Sequence, residues 1–245
     1  MVNSVSDFTT LNNSRYFLNK PQTSNTQPQR LSKNQRLGIQ FSTALGVIGS
    51  LAMLAKLSKT PYSFKPSKIL ATPFKDTFLG KIEYDIKTVP VVGAGSCLGG
   101  LLGGVIFDKN KNNRQAKVRE ALVQYTNIVL PIATVHCTSL LGEAAAKKLP
   151  KMNKPIGIAA PLIGLAAGIV AGNKLANKLN QIIFHKKDNR PVELTDMSAH
   201  LDDICMTSQY IKKDNILTKS VSRFIPLALM VPGCEIGKKQ EKTFA

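Results

Sequence analysis

Between Thr88 and Phe107 the chain carries no charged side chain, and Gly93, Gly95, Gly99, Gly100, Gly103 and Gly104 punctuate the run. Twenty residues rise about 30 Å as an α-helix, the thickness of the hydrocarbon core of a bilayer. Glycine is a poor residue for a helix in water. In lipid its missing side chain lets two backbones approach closely, and Gly95, Gly99 and Gly103, four residues apart, share one face. Gly164, Gly168 and Gly172 repeat the device between Pro155 and Asn173. The spacing predicts an all-α, multi-pass membrane fold in which these six glycines form the helix-packing faces.

Two further apolar blocks complete the expectation of four spans. Residues 37–55 are uncharged between Arg36 and Lys56, and residues 121–142 carry only the titratable His136, with Asn127 and Pro131 inside. The spans are therefore expected at 37–55, 88–107, 121–142 and 155–173, within a membrane domain of residues 36–174. Residues 1–35 are rich in Asn, Ser, Thr, Gln and Pro and hold too little apolar surface to fold alone. No apolar segment directly follows a charged N-terminus, so a cleaved secretory signal is not expected.

Residues 175–245 form a basic C-terminal region. Leu175, Leu179, Ile182 and Ile183 recur at helical spacing and predict an amphipathic extension of the fourth span. Thr195 as N-cap, followed by Met197, Leu201, Ile204 and Cys205 on one face, predicts a second amphipathic helix. Residues 224–234 are apolar but short for a span, which predicts a re-entrant or surface segment or a helix packed on the bundle.

The formal net charge of +18 over 245 residues raises a nucleic-acid reading. Such a reading needs basic residues gathered on one face together with aromatics or a known motif. Here Lys and Arg are spread through every polar segment and aromatics make up 6%. Nucleic acid is disfavoured, and basic flanks beside apolar spans point instead to a lipid bilayer with anionic headgroups. Lysine and arginine weigh slightly more on the side taking both termini, which places the termini in the cytoplasm.

Chemistry is sparse. Asn127 and His136 in one span are candidates for lining a transport pathway, because polar groups in lipid are costly. Asp196, His200 and Asp203, at i, i+4 and i+7, could hold a divalent metal, although a solvated helix face accounts for the same residues. The glycine run lacks the GxGxxG pattern and a Walker lysine, so it is no phosphate cradle. Cys97, Cys137, Cys205 and Cys234 form neither a CxxC pair nor a metal-ligand spacing. No catalytic residues and no cofactor are assigned, which leans away from an enzyme.

A shift of 64 positions aligns Gly93 with Gly157, Gly100 with Gly164 and Gly104 with Gly168. The alignment raises a duplicated two-helix unit. The leading expectation is a structural or interaction role, through helix packing, a homo-oligomer or a membrane protein partner. The alternative is a small channel or transporter built from the duplicated unit.

Overall fold

Ser32 opens the first helix with a reciprocal cap. Its hydroxyl accepts from the Gln35 amide at 3.3 Å, and its own amide donates to Gln35 Oε1 at 2.8 Å, satisfying two of the donors that a helix start leaves over. In this computed structural model the described residues are 31–58, 86–185, 207 and 224–241. All of them belong to one unit, Leu31–Glu241. Among the described residues five α-helices carry the fold: α1 (Lys33–Leu57), α2 (Thr88–Phe107), α3 (Asn113–Lys148), α4 (Asn153–Phe184) and α5 (Ile225–Lys238). A 3₁₀ turn, Pro150–Met152, joins α3 to α4, and no strand occurs among the described residues.

The all-helical expectation holds, and four helices among the described residues are long and apolar enough to cross a membrane. The α2 boundaries coincide with the uncharged run. Helices α3 and α4 overrun their apolar blocks, with 36 and 32 residues, because Asn, Lys and Gln propagate a helix that packing has already started. At 1.5 Å per residue these two reach about 54 and 48 Å. His185 ends α4 in the left-handed conformation, φ 53°, a common way for a helix to stop.

Helix α2 sits at the centre, against α1, α3 and α5, whereas α4 packs chiefly on α3. Contacts set the directions. Gly46 meets Gly95 and Gly99 while Ile39 meets Gly103, so α1 and α2 are antiparallel. Gly93 meets Ile128 and Gly104 meets Lys117, so α3 also runs against α2. Gly233 lies against Gly100 and Gly237 against Gly104, which makes α5 parallel to α2. The short apolar segment 224–234 is thus the body of a helix packed into the bundle. Proline at its first turn lacks only an amide that a helix start does not use.

Ile128, Ile132, Ile225 and Leu229 build an apolar core, but on α2 the burial pattern is inverted relative to a water-soluble helix. The buried positions of α2 are mostly glycine and valine, with Ser96 and Cys97, while Leu98, Leu102 and Ile106 face outward. On α1, Leu37, Phe41, Leu45 and Ile48 form an exposed apolar row. The helical extension of α4 beyond its apolar block is present and runs to Phe184. Ala176 and Asn180 turn toward the interior and Ile182 and Ile183 point out, because only small side chains fit a close interhelical contact.

The shift of 64 positions does not pair equivalent residues in this geometry. Gly100 and Gly104 face α5, whereas their aligned partners Gly164 and Gly168 face α3. Gly157, aligned with Gly93, has open space where Gly93 meets Ile128. Equal spacing of glycine in two apolar runs produces the match without equivalent roles. The expected second amphipathic helix, beginning at Thr195, lies outside the described residues except for Thr207.

Candidate functional site

The glycine faces come first, since they set how close the helices stand. A Cβ on Gly99 would sit 2.6 Å from the Ser42 carbonyl oxygen and 3.0 Å from Thr43 Cα. On Gly103 it would meet Ser42 Cβ at 2.8 Å, and on Gly95 the Gly46 carbonyl oxygen at 2.5 Å. Ser42 Oγ donates to the Gly99 carbonyl at 2.8 Å across the same contact. Gly164 and Gly168 stand equally close to α3 at Val135 and Pro131, and Gly172 stands at Asn127. All six glycines therefore face neighbours within the same chain. Helix α2 also carries a second glycine face that its sequence spacing did not single out. Cβ atoms on Gly100 and Gly104 would come within 2.8 Å of the Gly233 and Gly237 Cα atoms.

Polar residues concentrate on one side of α3. Asn113, Lys117, Glu120, Gln124 and Asn127 recur at steps of four and three and are all buried. The row begins in a charged cluster where the α2–α3 turn meets the end of α5. Lys117, with a fully buried side chain, donates from Nζ to the Gly237 carbonyl at 2.6 Å and to the Lys239 carbonyl at 2.8 Å. Its third partner is Asp108 Oδ2 at 3.0 Å. Three donors meet three acceptors, so the ammonium is fully satisfied. Two of those acceptors terminate α5, where the helix dipole favours a cation.

Asp108 is held from several sides. Asn113 Nδ2 donates to it at 2.9 Å and the Asn110 amide at 3.0 Å. Burial pushes the Asp108 carboxyl up, but these hydrogen bonds and the Lys117 charge outweigh it and hold it below the usual carboxylate range. Around this centre, Lys239 pairs with Glu120 at 2.8 Å, Arg119 pairs with Glu241, and the Glu241 amide donates to Asn113 Oδ1 at 3.1 Å. Gln124 Nε2 donates to Glu120 Oε1 at 2.8 Å and carries the row onward. The cluster ties the α5 terminus to the α2–α3 turn.

Deeper in the bundle the row is less satisfied. Gln124 Oε1 and Asn127 Oδ1 are buried without a hydrogen-bond partner among the described residues. Pro131 cannot donate to the Asn127 carbonyl, which leaves a second oxygen free of its helical bond at the same level. Thr134 and Thr138 hydroxyls turn back onto carbonyls of the turn before them.

His136 does not join Asn127. Nine residues at about 100° each place the two on opposite faces of α3, with Asn127 buried and His136 half-buried. Asp196, His200 and Asp203 lie outside the described residues, and no group of metal-ligating side chains occurs among the described ones. Cys97 is buried, Cys137 is exposed and Cys234 is intermediate, all three as free thiols.

Sequence reasoning misses the charged cluster, because Asp108 to Glu120 reads as a solvated link between spans. Two signals in the chain point to it. Gly233 and Gly237 repeat the four-residue spacing of Gly100 and Gly104, and Asn113, Lys117, Glu120, Gln124 and Asn127 form a polar stripe at helical period. Comparison with protein-family models, with curated proteins and with solved structures gives no match at any of the three levels.

Proposed function

We propose that this chain is an integral membrane protein with a structural or interaction role. Its helices would form a rigid intramembrane body whose basic ends meet anionic lipid or a partner protein. The observation that carries this reading is the outer surface: rows of large apolar side chains on α1, α2 and α4 face outward, while glycine, serine and polar groups share the interior with Ile39, Val47, Leu51 and Ile128. A soluble helical domain would bury that apolar surface. The six glycines named above are used inside one chain, so association with further copies or partners would use other surfaces. The described chain starts and finishes at one end of the bundle. Gln35 bonds to the Phe107 carbonyl and Glu241 to Asn113 there, and the reading puts that end in the cytoplasm.

Carbonate extraction of membranes from expressing cells, followed by flotation of the purified protein with vesicles, tests the reading. Retention in the pellet and flotation with vesicles containing phosphatidylglycerol are expected. Release as a soluble protein would overturn it and make nucleic acid, through the +18 charge, the first partner to examine.

A second reading, transport, is favoured by the buried oxygens of Gln124 and Asn127, since unpartnered polar groups inside a membrane helix are costly. On this reading Asn127 faces the pathway without His136. Ion or solute flux in liposomes, reduced by Asn127→Leu, would support it. Flux no greater than in empty liposomes would reject it.

A further inference from the structure

Where α2, α3 and the last turn of α4 meet, an outward-opening groove of about 470 Å³ is lined by Leu98 and Leu101, Val118, Leu122 and Tyr125, and Phe184. Its lining is almost wholly apolar, and its rim continues into the exposed row of Leu98, Leu102 and Ile106. Because α2 and α3 run antiparallel here, the groove follows the bundle axis. It spans the two helical turns from Val118 to Tyr125, about 10 Å. Arg114 precedes Val118 by four residues and so lies one turn further along the same face. It is exposed, and its guanidinium makes no ion pair among the described residues.

We propose that this groove seats one acyl chain of an anionic phospholipid whose phosphate is held by Arg114. The inference rests on the membrane reading above and names a lipid class for one place on its surface. An apolar slot parallel to the helices with a cation beyond one end matches a phospholipid with its tail along the bundle and its headgroup at the Asp108–Lys117 end. A tail leaving the bilayer for the slot gains little from hydrophobicity, since lipid is as apolar as leucine. Selectivity therefore falls to the headgroup, and a guanidinium recognises phosphate through paired hydrogen bonds.

The chain contains no tryptophan, so Tyr125→Trp introduces a single fluorophore into the groove. Leu45→Trp places one on the plain outer face of α1. Each full-length variant is reconstituted into phosphatidylcholine vesicles in which either phosphatidylglycerol or a matching fraction of phosphatidylcholine carries brominated acyl chains. Quenching of the groove fluorophore in Tyr125→Trp should show about fivefold enrichment of phosphatidylglycerol. That is the factor to which about 1 kcal/mol for one basic residue near anionic headgroups corresponds. Adding Arg114→Gln should bring the enrichment down to the level seen with Leu45→Trp. Equal quenching of the groove fluorophore by the two lipids, or enrichment that persists with Arg114→Gln, overturns the proposal. Quenching in Leu45→Trp with none in Tyr125→Trp would also overturn it, showing the groove filled by protein. Absence of quenching in both variants would instead refute the membrane reading on which it rests.

Discussion

Replacing Lys117 by methionine keeps the length of the side chain and removes its charge. The structure assigns Lys117 three contacts, to Asp108 and to the Gly237 and Lys239 carbonyls. Removing one member of a buried ion pair costs about 3–5 kcal/mol, because the partner charge stays behind. Asp108 keeps the Asn113 and Asn110 donors, so the lower end, about 3 kcal/mol, applies. At about 2–4 °C per kcal/mol for a chain of this size, the midpoint of thermal unfolding in detergent should fall by about 6–12 °C. The loss should concentrate on α5. Cys234, beside Thr43 of α1, should react faster with maleimide in Lys117→Met, while Cys97, buried on α2, keeps its rate. Pairing Lys117→Met with Asp108→Asn in a double-mutant cycle should recover about 1–3 kcal/mol of the summed loss. A Lys117→Met protein with unchanged midpoint and unchanged Cys234 reactivity would refute the assigned role of the cluster.

Further expectations concern other contacts. Gly99→Leu should lower thermal stability by about 1–3 kcal/mol or more, since the new side chain meets α1 backbone that cannot rotate away. Gly49→Ala, with open space around its Cβ, should be neutral or stabilising by up to about 1 kcal/mol; equal effects at the two sites would dismiss the close-contact argument. Gly168→Leu should loosen the α3–α4 pair, detected as a lower unfolding midpoint with Cys234 labelling unchanged. Asp108 titrates below its ordinary value in the folded state, so the unfolded chain takes up the proton first. Its stabilising contribution is full above about pH 4 and declines as pH falls through the lower folded value. In Asp108→Asn this acid-side decline should flatten when unfolding midpoints are measured against pH.

Where a physical preference acts within one helix, the sequence reveals it. The uncharged run of α2 and its boundaries are legible because hydropathy and length are local properties. The faces of Gly95 and Gly164 follow from a four-residue repeat for the same reason. The partner of each face is hidden: glycine spacing says that something comes close, while Ser42, Pro131 or Gly233 as that neighbour depends on how distant segments assemble. Lys117 shows the limit most sharply. Along the chain it belongs to a basic link between apolar blocks, and only the docking of α5 more than a hundred residues later gives it carbonyl acceptors and a buried place. His136 and Asn127 fall on opposite faces, so closeness in sequence does not stand for closeness in space. The shift of 64 fails likewise, since glycine matches glycine whatever lies opposite.

The position of α5 has a consequence for biogenesis. During synthesis α1, α2 and α3 leave the ribosome well before residues 225–241. Until those residues arrive, the Gly100 and Gly104 face is an open slot with the Lys117 ammonium beside it, lacking two of its three acceptors. A charged group held unsatisfied inside a helical bundle is the kind of feature by which an unfinished protein can be told from a finished one. Residues 225–241 therefore close this face of the core and remove that mark, so a nascent chain stalled before Ile225 should be held or degraded more than one extended through Glu241.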